Sequence, residues 1–180
     1  REHRQVRTLL AERARLDASV WRDEVRAQRH EQPVVDLWDA LRAAADPFTI
    51  AAAFPFTTLT PPAPPLFRAG DVGLRIADGG DTATALSHPA WAALLDGARK
   101  AGWRIVQEEF HHAEYRWNDG KPTSVFRINL HAVAPDGARV EWRGPVNIGW
   151  LRRPDTATPV VETIDASALQ RIERSGPAGF

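Results

Sequence analysis

Between Trp103 and Arg174 the chain alternates apolar and polar residues in four runs, set apart by turn-forming residues. The runs are Trp103–Trp117, Thr123–Ala134, Arg139–Arg152 and Val160–Arg174, separated by Asn118-Asp119-Gly120, Pro135-Asp136-Gly137 and a loop around Pro154. A strand sends successive side chains to opposite faces, so a period of two means one dry face and one wet one. Phe126, Ile128 and Leu130 oppose Arg127, Asn129 and His131. Val140, Trp142, Val146, Ile148 and Trp150 oppose Arg139, Glu141, Arg143 and Asn147. Asp-Gly between such runs favours tight hairpins. The pattern predicts a four-stranded antiparallel meander packed by one face on something else. Gly144-Pro145, inside the third run, predicts a bulge or bend and hence a curved sheet.

The N-terminal half supplies the rest of the core. Residues 1–31 hold eight Arg and six acids (8 − 6 = +2) and no Gly or Pro, with Val6, Leu9, Leu10, Leu16, Val20 and Val25 at helical spacing. This predicts a helical arm, as one long helix or as two short ones capped afresh at Asp17 or Ser19. Arg1, Arg4 and Arg7 read as a solvated face, because acids are interleaved through the segment. Pro33 is expected to end the arm, and Val35, Leu37, Trp38, Leu41 and Ala44 then form a second amphipathic helix. Asp46-Pro47 caps a short helix through Phe54, and the proline-rich Thr57–Pro65 makes an extended connector. Phe67–Ile76 reads as a short hairpin, with turns at Gly70-Asp71 and Asp78-Gly79-Gly80. A crossing helix follows, with Ser87 as cap, Trp91, Leu94, Leu95 and Ala98 as its buried stripe, and Gly102 as its stop. The expected class is α+β, divided into an arm (1–31), a body (34–174) and a tail (175–180).

Composition removes several function classes. Lys plus Arg equals Asp plus Glu at 23 each, so no bulk charge drives the chain toward nucleic acid. No apolar run reaches the roughly 20 residues of a membrane-spanning helix. With no Cys there is no disulfide, thiolate nucleophile or Cys-ligated metal. The chain lacks Met and opens on Arg1, so a start and any export signal are expected to lie outside it.

The densest group of titratable residues is Glu108-Glu109-Phe110-His111-His112-Ala113-Glu114. Adjacent His residues on a strand face opposite ways, and H-E-x-x-H is absent, so no metal site is expected. Glu108 and His112 share the face of Val106 and Phe110, which makes them the candidate acid/base pair if the chain is an enzyme. Tyr115 falls by the same alternation on the Glu109/His111 face. Glu109, His111, Arg127, Asn129, His131, Glu141 and Arg143 form a polar face across three strands, with Arg127, His131 and Arg143 as candidate binding residues. Trp103, Trp142 and Trp150 are expected inside, while Trp21 and Trp117 sit among charges as candidate interface anchors. No nucleotide or phosphate fingerprint occurs, and no cofactor is expected.

Helices first, then a short hairpin, a crossing helix and a long meander, is an order that resembles the cone-shaped nuclear-transport-factor-like superfamily, with its ketosteroid-isomerase-like and SnoaL-like domains. The residues carrying the resemblance are Val34–Ala45 (VVDLWDALRAAA), His88–Val106 (HPAWAALLDGARKAGWRIV) and Thr163–Arg174 (TIDASALQRIER). A second resemblance is to a module ahead of FG-GAP/UnbV-type propeller segments in bacterial multidomain proteins. It is carried by residues 38–56, 102–112 and 163–180. The second resemblance implies an exported protein; without it the expected compartment is cytoplasmic. Together these readings lead to the expectation of a non-catalytic accessory or protein-interaction domain that binds another protein chain and allows a homo-oligomer. The alternative is a small isomerase, cyclase or hydrolase using Glu108 and His112 inside the cone.

Overall fold

The three long strands at the centre of the computed structural model follow from the alternation. β5 (Arg104–Asn118), β6 (Lys121–Val133) and β7 (Arg139–Trp150) form an antiparallel meander. Ahead of them come α1 (Glu2–Ala43), α2 (Pro47–Ala53), β1 (Thr58–Thr60), β2 (Arg68–Ala69), β3 (Leu74–Ala77), β4 (Leu86–Ser87) and α3 (His88–Lys100). After them come β8 (Val161–Asp165) and β9 (Gln170–Arg174). The structure describes residues 2–62, 68–69, 74–77, 84–118 and 120–174. The expected turns at 70–71 and 78–80 and the tail at 175–180 lie outside them. The class is α+β, with nine strands in one mixed sheet among the described residues.

The fourth predicted run is two strands rather than one. β8 pairs with Asn147–Trp150 and β9 with Arg139–Arg143, both along the same edge of β7. Ala166–Leu169 bridges them and passes close to Gly144, where a Cβ would meet the Ala168 carbonyl at 3.3 Å and the Leu169 Cα at 3.6 Å. Gly144 also has φ +139°, a conformation side chains resist. Of the expected bulge or bend at Gly144-Pro145, no bulge is present toward β6, where Ile128 and Arg127 pair with these residues in unbroken register. The glycine gives the crossing chain its room. Breaks in register fall instead at Val106 and Ala113 of β5 and between Gly149 and Trp150. β1 lies parallel to β8, so the expected proline-rich connector begins inside the sheet.

α1 corrects a second expectation, because it runs unbroken through Pro33. A proline inside a helix removes one hydrogen bond and costs about 3 kcal/mol. Contacts on both sides of it offset that cost. Val34 and Leu41 are buried beyond it, and Arg26, Ala27, Arg29 and His30 are half-buried before it. Positions 27, 30, 34, 38 and 41 share one helical face, and it is this face that meets the sheet. The core joins Val34 to Phe126, Val146, Ile148, Trp150, Val161, Ala166 and Leu169. Trp150 donates its indole N–H to the buried Ser124 hydroxyl at 3.0 Å, so that polar atom is satisfied. In α2, Asp46 accepts from the Phe48 N–H at 3.2 Å, the expected cap. Trp91 of α3 donates to the Ala51 carbonyl at 3.3 Å and ties the two helices together.

Candidate functional site: the seam between α1 and β5

The second half of α1 lies antiparallel along β5, and the seam between them gathers the partly buried titratable side chains Arg26, His30, Glu31, Glu108, His112 and Tyr115. Taken down the helix, the Arg26 guanidinium covers the Trp117 ring at 4.3 Å, and His30 meets Tyr115 with centroids 4.9 Å apart. Glu31 then reaches His112 Nδ1 at 3.6 Å, and Trp38 meets Phe110 at 6.3 Å. Trp38 also donates its indole N–H to the Glu108 carbonyl at 3.1 Å.

The bulge at Ala113 decides who belongs to this seam. Beyond it Glu114 pairs with Val125 and Tyr115 with Ser124, so Tyr115 and Trp117 turn to the same face as His112. Plain alternation put Tyr115 on the Glu109/His111 face; the extra residue reverses that. Trp117 is accordingly half-buried beneath Arg26. Trp21, the other expected anchor, stands 68% exposed on α1.

At the seam's centre the polar groups are held tightly and incompletely. The His112 ring stacks on Phe126 at 4.7 Å, and its buried Nε2 has no hydrogen-bond partner among the described residues. The buried Tyr115 hydroxyl likewise has none, and burial pushes its pKa up to about 12. His30 gives its Nδ1 proton to the Arg26 carbonyl at 2.7 Å. Burial nevertheless holds its pKa below the usual value, outweighing that hydrogen bond. Nearer solvent, Arg26 pairs with Asp155 at 2.7 Å, which lowers the carboxyl's pKa and raises that of the guanidinium.

At the far end of the seam is a cavity of about 490 Å³ between the end of α1 and the start of β5, lined among others by Trp38, Leu41, Arg42, Ile105 and Glu108. Its size suits a small ligand or a few side chains. Burial raises the Glu108 carboxyl above its ordinary pKa, and Arg42 nearby opposes the shift. Glu108 and His112 do share one face, as the alternation implied. They stand four residues apart, about 13 Å along the strand, with Phe110 between them. The structure does not bring them together on one reacting atom. Among the described residues no group of three or more His, Asp or Glu side chains is placed to hold a metal ion.

The opposite face of the sheet carries the other expected binding residues in cross-strand rows. Asn129 faces Arg143, His131 faces Glu141, and Arg127 stands between His111 and Pro145. Arg143 donates to Gln170 at 3.2 Å and lies 3.9 Å from Glu141. His30, Glu31, Trp38 and Arg42 were missed as site residues. Cutting the helix at Pro33 separated them, whereas a period of 3.6 read straight through the proline gathers them.

No family model matches the chain, and no curated protein matches it. Among solved structures it is similar to a conserved protein from Planctomyces limnophilus DSM 3776, at 9% identity and a TM-score of 0.47. The likeness covers 75% of this chain and 92% of that one. Among the described residues no helix is long and apolar enough to cross a membrane.

Proposed function

We propose that the chain is a non-catalytic protein-interaction module of the cone-like kind, which docks through the first half of α1 onto a helix of a partner chain. One observation carries this reading. The apolar face that α1 buries against the sheet continues past the sheet with no described residue packed on it. Leu16 lies 18 residues before Val34 and Val20 lies 18 before Trp38, about five helical turns each, so they share that face. Val34 is 3% exposed, whereas Leu16 and Val20 are 61% and 64% exposed. Five of the eight exposed large apolar side chains among the described residues lie on this half-helix, Leu16 and Val20 on the sheet-facing side and Leu10, Trp21 and Val25 about 120–180° round from Leu16, outside the docking face. Such a cluster marks an interaction surface. A helix without tertiary contacts is marginal in water, and a partner helix would supply what the sheet supplies further along.

The test is site-specific photocrosslinking with light scattering. A crosslinker at Leu16 is expected to capture a helix of the partner chain, whether another protein or a second copy. One at Ala18, about 200° round the helix, captures nothing. Leu16→Glu with Val20→Glu is expected to abolish association while leaving the body folded. A monomer at every concentration, with equal crosslinking from Leu16 and Ala18 in its native setting, would sink the reading.

A further inference from the structure

We propose that the outer edge of β5, from Gln107 to His112, docks an extended basic peptide that adds to the sheet as one more strand. Among the described residues β5, 15 residues long, pairs with β6 alone. Its other edge therefore presents backbone N–H and C=O groups of alternate residues, the chemistry that recruits an added strand, with the Glu108 carbonyl held by the Trp38 indole until an added strand takes its place. The two bulges set the length of that strand. Register breaks at Val106 and at Ala113, leaving a straight run of six residues, about 20 Å, between them. Bulges end pairing and twist an edge away, so a long edge-to-edge association is blocked while a short peptide is admitted.

The cavity lies against the first half of this run, since Gln107, Glu108 and Glu109 line it together with Trp38, Leu41 and Arg42. A paired strand would send one side chain into it beside Glu108 and the next to the opposite face beside Glu109. That geometry selects the charge of the occupant. Neither Glu108 nor Glu109 has an ion pair among the described residues, and the only hydrogen bond to either carboxylate is from Gln107 to Glu109 at 3.0 Å. Arg42, Glu108 and Glu109 together give the cavity's lining a charge of −1. The Glu108 carboxyl is raised by burial that Arg42 only partly offsets, so a cation beside it completes its surroundings. Lys or Arg at two consecutive positions satisfies both acids, one on each face. The site uses none of the residues of the exposed α1 arm, so it stands or falls separately from the docking proposed for that arm.

The probe is the end-blocked hexapeptide Thr-Val-Lys-Lys-Val-Thr carrying a fluorophore, titrated into the full chain by anisotropy, with amide exchange followed in parallel. Saturable binding is expected, together with slowed exchange within Gln107–His112. Exchanging both Lys for Glu, or methylating the peptide nitrogens that face β5, is each expected to weaken binding by roughly tenfold or more. Glu108→Gln weakens the Lys peptide in the same direction, whereas Leu16→Glu leaves it unchanged. The proposal is overturned if the methylated peptide or the Glu peptide binds as tightly as the original. It is equally overturned if exchange at Gln107–His112 is unaltered, or if Leu16→Glu removes the binding. The methylated peptide needs no protein variant, so misfolding cannot mimic a positive result.

Discussion

The two halves of α1 carry the same kind of sequence and have opposite surroundings. Every described side chain from Leu10 to Val25 is exposed, while from Arg26 to Leu41 one face is half-buried or buried. Apolar residues recur at helical spacing in both halves, and charges fill the positions between them. The difference is that β5 runs beneath one half and stops short of the other. Amphipathic periodicity therefore specifies a face. Whether the partner for that face lies within the chain is decided by the length of the strand it meets.

The sharpest test of this contrast pairs two leucines on one helix. Leu41→Ala should destabilise the fold by about 2–5 kcal/mol in urea unfolding, the cost of a cavity in a packed core. Leu16→Ala should change the monomer by less than about 0.5 kcal/mol. Equal costs would show that the arm is covered in solution and that the contrast is false for the free protein.

The next largest effect is expected at the junction. Pro33 leaves the Arg29 carbonyl without the helical N–H it would otherwise receive. Pro33→Ala restores that donor and should stabilise the protein by about 1–3 kcal/mol, read as a raised Tm. A lowered Tm would mean that packing of the half-buried ring outweighs the missing hydrogen bond, and that the junction is built around the proline.

The structure and the sequence part company at identifiable residues. The runs that became β5, β6 and β7 were legible because each has one apolar face and ends at a turn with its own chemistry, Asp136-Gly137 being the clearest. The bulges at Val106 and Ala113 were not legible, since neither residue is of a type that demands one. That mattered for the seam, because Ala113 decides which face Tyr115 and Trp117 occupy. The split of the last run into β8 and β9 was hidden as well. Ala166 and Leu169 are apolar and fit a strand pattern, yet they are buried where the chain crosses Gly144. At Pro33 a local rule was overridden by burial of Val34 on one side and by the contacts of His30 on the other. Of the candidate site, the shared face of Glu108 and His112 could be read from spacing. The helix that fills the space over them could not.

A smaller effect should distinguish the buried half of the helix from the exposed half by pH. His30 faces Tyr115 and the Trp150 ring, 5.1 Å away, with Arg26 and Arg29 nearby on its own helix. Burial lowers its pKa in the fold, so the unfolded chain binds a proton more readily. Its contribution to stability is full above the unfolded value near 6.5 and is lost as pH falls through the lower, folded value. Urea midpoints of the wild type and His30→Gln should therefore converge or cross as pH falls from 7 toward 5. Parallel curves would place His30 in water.

The smallest expected effect lies where the helix leaves the sheet. Arg26 donates to Asp155 from both Nε and Nη2, at 3.2 and 2.7 Å, and its guanidinium carbon lies over the Trp117 ring at 4.3 Å. Asp155 is largely exposed, so its ion pair should resemble other surface pairs at about 0–1 kcal/mol. The stacking of Arg26 on Trp117 does not need the carboxylate, because the guanidinium plane and its methylene stem cover the ring regardless. Asp155→Asn should thus cost less than about 1 kcal/mol and remove part of the salt sensitivity of stability. Arg26→Ala, which uncovers Trp117, should cost more and raise the ring's accessibility to a fluorescence quencher. Amide exchange supplies the decisive reading, since protection along α1 should begin near Arg26 in the wild type. In Arg26→Ala that boundary should retreat toward His30, and in Asp155→Asn it should stay in place. A retreat in both would make the ion pair, and not the aromatic contact, the point at which the sheet takes hold of the helix.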